Sequence, residues 1–259
     1  MKKKTRRYLL CIAIVVVSGV VRLPLEAGLE DQMTEAGFRE GAPGLELREE
    51  LGQMGFVAAF GGLRSLVASI LDLWAFVAFT DDEWGEVDSR YSIICRLQPK
   101  VEKYWELASW HMAYNAVAYY ERSETATDSM RLAVRTKLME SYKDKGISYL
   151  ERGLVFLPDS GKLHLSMASI HKDRRPNPAI AAHHYLRAFE CQGLGHLERA
   201  HAHELVKFSE REAWEQAYSI LKRHYDSGGR DRTLSVLRDL RVLEDRLQIP
   251  VVLRIPETP

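Results

Sequence analysis

Between Gly146 and His171 the chain reads GISYLERGLVFLPDSGKLHLSMASIH, two apolar-periodic stretches separated by Leu157-Pro158-Asp159. Ile147, Leu150, Leu154 and Leu157 recur at helical spacing, which predicts a helix with one apolar face. Pro158 disfavours helical geometry in the residue before it, and Asp159-Ser160-Gly161 completes the turn. A second helix is predicted beyond, with Leu163, Met167 and Ile170 on one stripe and Ala168 at its centre. The small residues Gly146, Gly153 and Ala168 leave room for two helices to approach closely. A chain carrying this unit is built from paired helices.

The two ends of the chain differ from this middle. Lys2–Arg7 is a dense basic cluster followed by the uncharged run LLCIAIVVVSGVV. That order predicts a membrane anchor or a secretory signal over residues 1–25, and both readings stay open. Either way the basic end stays in the cytoplasm and the remainder is exported. Residues 26–54, rich in Glu and Gly, read as a tether. From Gly55 to Phe79 the chain turns apolar again, but Arg64 and Asp72 interrupt the run. A charge at a bilayer centre costs about 3 kcal/mol on insertion scales, so this stretch is read as the buried first helix of the helical array rather than a second span. The array runs over residues 55–247, and residues 248–259 form an extended tail limited by prolines.

Within the array, Asp81-Asp82-Glu83 suits a helix N-terminus. Leu97-Gln98-Pro99 repeats the character of Leu157-Pro158-Asp159. The helix of residues 103–122 carries Trp105, Ala108, Met112, Ala116 and Tyr119 on one stripe, a polar break follows at residues 122–130, and Arg131–Tyr142 is helical again. Pro99 and Pro158 are 59 residues apart, which calls for an inserted helix, whereas Ala168 and Ala202 are 34 apart. Asp173–Pro178, Gly193–Gly195 and Asp226–Gly229 mark later turns. Val236, Leu240, Leu243 and Leu247 form a last stripe whose other face is charged, as a terminal cap requires.

Over residues 81–228 the chain resembles a tetratricopeptide (TPR) array, and as a whole it resembles bacterial membrane-anchored TPR-type proteins. Gly61-Gly62-Leu63-Arg64, Leu97-Gln98-Pro99, Trp105, Gly153, Pro158, Ala168, Ala188 and Ala217 carry the likeness. The expected fold is all-α, an antiparallel helix-pair solenoid behind an N-terminal anchor or signal. The resemblance implies partner binding and assembly, and nothing catalytic.

Composition narrows the function further. Lys+Arg and Asp+Glu number 36 each, so no overall field draws the chain to nucleic acid. Cys11, Cys95 and Cys191 form no CxxC pair, which gives no disulfide framework and no cysteine zinc site. His183-His184 and His201-Ala202-His203 lack the spacing that puts two ligands on one helix face, and no metal or cofactor is expected. No phosphate-binding glycine loop or nucleophile elbow occurs, so an enzyme is not expected.

The remaining candidates are the polar residues on the first helix of each pair, which lines the concave side of such stacks. They are Tyr104, His111, Asn115 and Arg122, then His164 and His171, then His196, His203 and Lys207. Arg64 and Asp72 add a charged clamp, since a charge on an apolar helix should be paired. The expected function is scaffolding or recruitment of a protein partner in an envelope-associated complex, at the outer face of the cytoplasmic membrane. The alternative is an exported carrier or sensor of a peptide, glycan or lipid fragment.

Overall fold

Several helix boundaries in this chain fall at a proline, a glycine or a capping side chain. A computed structural model describes residues 63–122 and 132–256. The regular structure of these residues is helical throughout, with no strand among them. The calls on residues 1–25, 26–54 and 55–62, and the polar break beyond residue 122, lie outside the described residues.

Helices α1 (Arg64–Thr80) and α2 (Trp84–Leu97) pack together first. A long rod follows, made of α3 (Glu102–Trp110), a π-helical segment (His111–Ala116) and α4 (Val117–Arg122). It packs on α5 (Leu132–Phe156). Helices α6 (Gly161–Asp173) and α7 (Pro178–Gln192) form the next pair, then α8 (Gly195–Leu205) and α9 (Arg211–Ser227), with α10 (Leu234–Arg246) packed on α9. Each helix packs on its sequence neighbours, and α3 also packs on α6.

The turns have local causes. Ser160 caps α6 by accepting from the Leu163 N–H, and Asn177 caps α7 by accepting from Ile180, with Pro178 in the first turn. Gly193 ends α7 at φ 66°, the left-handed geometry that lacks a penalty only for glycine. Thr233 caps α10 in the same way as Ser160 caps α6.

Close approaches then fix the packing. Trp105 is buried, stacks on Phe156, and donates its indole N–H to the Pro99 carbonyl at 2.8 Å. Gly153 lies against that indole. Gly146 lies so near the rod that a Cβ there would meet the Ala113 Cβ at 2.6 Å. Ala168, Ala181 and Tyr185 form the contact between α6 and α7.

Three expectations need adjustment. The surplus length between Pro99 and Pro158 goes largely into two long helical elements, the 102–122 rod and the 25-residue α5. The tail is not extended through residue 256, because Val251–Leu253 makes a 3-10 turn and Ile255 joins the core of α9 and α10. Buried Glu244 holds it there, accepting from the Ile255 N–H at 2.7 Å. Finally, α1 packs through Ala68, Leu71, Ala75 and Ala78, and its larger apolar residues point outward.

Candidate functional site

The contact between α3 and α6 leaves an open groove of about 470 Å³. Leu107, Trp110 and Tyr114 line one wall, and Leu165, Ser166, Ser169 and Ile170 the other. Lys103 and Glu106 stand at its edge. Steps of three and four residues on the first wall keep its side chains on one helix face. Trp110 is 51% exposed although it is the largest side chain present, and its ring stacks on Tyr114 with centroids 4.3 Å apart. The Arg174 guanidinium covers Tyr114 at 4.7 Å and pairs with Glu121 at 3.7 Å. Burial, and then the Asp173 charge, push the Tyr114 hydroxyl up to about 12, so it stays a neutral donor.

Ser109 also lines the groove, and its buried hydroxyl has no hydrogen-bond partner. Buried polar groups are rarely left so, because the group forfeits its hydration without compensation. An apolar wall faced by Ser166 and Ser169 and edged by Lys103 and Glu106 suits an occupant that is apolar with a polar backbone. The π-helical segment begins directly after Trp110, and such segments are frequent at functional sites.

The residues singled out from sequence fall elsewhere. Tyr104, His111 and Asn115 sit one residue beyond Lys103, Trp110 and Tyr114, about 100° of rotation around the helix. The His111 ring packs 4.8 Å from Phe79 and 5.5 Å from Tyr91, and its Nδ1 meets the Asn115 amide at 3.1 Å. Lys103 lies over the half-buried Tyr104 ring at 5.7 Å. Asn115 and Arg122 line a separate, shallower hollow with Phe79, Asp82, Trp84 and Tyr119.

His164 and His171 are buried and do not line the groove. The His164 Nε2 bonds the Pro158 carbonyl at 2.9 Å, and its Nδ1 meets the Nδ1 of His184 at 2.9 Å. Burial pushes the imidazoles of His111, His164 and His171 below the usual histidine range. His184 falls to about 4, through burial and then the neighbouring His164 and His183. These rings stay neutral near pH 7, which removes them as a charge switch there.

On α8, His196 is exposed in the first turn. His203 bonds Asp239 of α10 at 2.7 Å, and Lys207 pairs with the buried Glu204. Burial favours the neutral form of Asp239, but the bonds from His203 and Arg238 outweigh it and lower its pKa. Asp72 accepts from the Tyr91 hydroxyl at 3.0 Å and faces Lys103 at 3.5 Å, so it ties α1 to α2 and α3. Arg64 is likewise engaged. Among the described residues, no grouping of three His, Cys, Asp or Glu could hold a metal ion. No helix of theirs is long and apolar enough to cross a membrane.

No protein-family model, curated protein or solved structure matches this chain.

Proposed function

We propose that this chain is a non-catalytic scaffold or recruitment protein, a TPR-like stack of helix pairs that holds an apolar segment of a protein partner between α3 and α6. The half-exposed Trp110–Tyr114 stack on the wall of this groove carries this reading. Large aromatic side chains anchor protein interfaces when they sit in a pocket from which water can be excluded. Residues 1–25 hold the protein at the cytoplasmic membrane with the helical array outside the cytoplasm. An export-dependent reporter fused after Pro259 is active on that arrangement, and an inactive fusion overturns it.

Selection of a random peptide library on the full protein tests the groove. Enriched sequences are expected to carry aliphatic or aromatic residues, and Leu107→Asp is expected to abolish their binding. Enrichment of charged sequences that Leu107→Asp leaves bound would overturn the reading. A second reading is an exported carrier of a peptide, glycan or lipid fragment. It draws on the groove volume of about 470 Å³, which lies in the range of small-ligand sites.

A further inference from the structure

Helix α1 has its faces the wrong way round for a helix whose only task is to pack. Its inner face is mainly alanine: Ala68, Ala75 and Ala78 are buried beside Leu71. Its outer face carries Leu66, Ile70, Leu73, Trp74, Phe76 and Val77, each between 43% and 62% exposed. An amphipathic helix ordinarily buries its large apolar residues and shows water its polar ones. From Leu63 to Thr80 no exposed residue is charged, and Arg64 and Asp72 are only partly exposed. An uncharged apolar face of this kind marks a surface that something covers.

The chemistry of the face distinguishes what covers it. Protein interfaces carry about one hydrogen bond per 100–200 Å². This face offers few, because the Ser69 hydroxyl donates to the Ser65 carbonyl at 2.8 Å and the Thr80 hydroxyl to the Val77 carbonyl at 2.7 Å, which leaves the Ser65 hydroxyl and the Trp74 indole N–H as its side-chain donors. Trp74 has the Arg90 guanidinium 5.7 Å from its ring centre, a pairing suited to the level of lipid headgroups. Arg90 in turn pairs with Glu86 at 3.0 Å, and the exposed Asp81-Asp82-Glu83 turn ends the patch. These charges bound the apolar face without crossing it.

We propose that the outer face of α1 lies on a lipid bilayer, with Leu66, Ile70, Leu73 and Val77 in the boundary between headgroups and acyl chains. The helix is about 26 Å long at 1.5 Å per residue and rests in the plane of the membrane. This attachment builds on the proposed anchor at residues 1–25, since α1 is the first described helix after it. The anchor raises the effective concentration of the α1 face at the bilayer, so a contact too weak to hold alone becomes populated.

Site-directed spin labelling of the full chain in phosphatidylcholine vesicles tests the inference. Cys11→Ser with Cys191→Ser removes two thiols, and Cys95 is retained because it is buried with its thiol pushed up. Nitroxides go at Leu66→Cys, Ile70→Cys, Leu73→Cys and Val77→Cys, with Lys222→Cys as a control. Collisions with oxygen should exceed those with a water-soluble nickel chelate at all four α1 positions, and the order should reverse at position 222. Ready access of the chelate to α1 would place the face in water and overturn the inference. Weak collision with both reagents and an immobilised spectrum would show a protein cover, a second copy or another segment of this chain, and also overturn it. A label on the native Cys11, with Cys191→Ser alone, reads the anchor separately: lipid at position 11 with water at α1 refutes the α1 contact and leaves the anchor standing.

Discussion

Replacing Gly146 with alanine sets two magnitudes against each other. The new Cβ would stand 2.6 Å from the Ala113 Cβ and 3.0 Å from both the Ala113 N and the Ser109 O. Two of those obstacles are backbone, so no rotamer change relieves them, and α5 must move away from the rod. With backbone among the obstacles and the closest approach at 2.6 Å, the overpacking falls in the upper part of its usual range, about 2–3 kcal/mol, while replacing a helical glycine returns about 1 kcal/mol. The expected net loss is about 1–2 kcal/mol, or roughly 3–6 °C in the thermal midpoint of a domain of this size. Gly85, with nothing within 4 Å of its Cβ position, serves as the control. It lies in the first turn of α2, so Gly85→Ala should raise stability by roughly 0.5 kcal/mol or less. Circular dichroism at 222 nm reads both midpoints. The near-ultraviolet signal should also change in Gly146→Ala, because Ser109 and Ala113 flank the Trp110–Tyr114 stack. An unchanged or higher midpoint for Gly146→Ala would refute the close approach of α5 to the π-helical segment.

Glu244→Ala leaves the buried Ile255 N–H without its acceptor, at a cost of about 1–3 kcal/mol. The tail beyond Pro250 should then be cut early in limited proteolysis, Glu244→Gln should cut later, and equal cutting of all three proteins would contradict the clip. His184 has its pKa lowered from 6.5 to about 4, so the folded state favours the neutral ring. Stability is therefore complete above pH 6.5 and falls as the pH drops from 6.5 towards 4, by an amount of order 1–3 kcal/mol. Other buried histidines share the trend, so His184→Gln should flatten the pH dependence of the thermal midpoint in that window without abolishing it. An unaltered slope would show that His184 takes up its proton as readily in the folded protein as in the unfolded chain.

The helix pairs were legible because their breaks are local chemistry. Pro158, Asn177-Pro178 and Gly193 stop or start helices whatever surrounds them, and Gly146 and Gly153 mark close approaches through their size. The groove was not legible, for a physical reason. A binary pattern sends Leu107, Trp110, Leu165 and Ile170 to the core, and a ligand groove uses the same residue types. The polar row Tyr104, His111, Asn115 drew attention because it lay off the apolar stripe, yet His111 is absorbed by Phe79 and Tyr91. His164 looked exposed for the same reason, although the Pro158 carbonyl satisfies it inside the fold. Helix α1 misleads in the opposite direction. Its apolar run reads as a buried helix, and sequence alone does not reveal that its alanines face inward.

The account rests on Trp110 as an anchor in the α3–α6 groove, and calorimetric titration of a library-selected peptide into wild-type and variant proteins tests that most directly. Trp110→Ala is expected to cost about 2 kcal/mol, roughly thirtyfold in Kd, as for a central aromatic anchor. Asn115→Ala, on the face one residue away, is expected to leave the affinity within about twofold, or roughly 0.4 kcal/mol. Unchanged binding by Trp110→Ala together with a large loss in Asn115→Ala would contradict the account and move the site to the hollow beside Phe79 and Trp84.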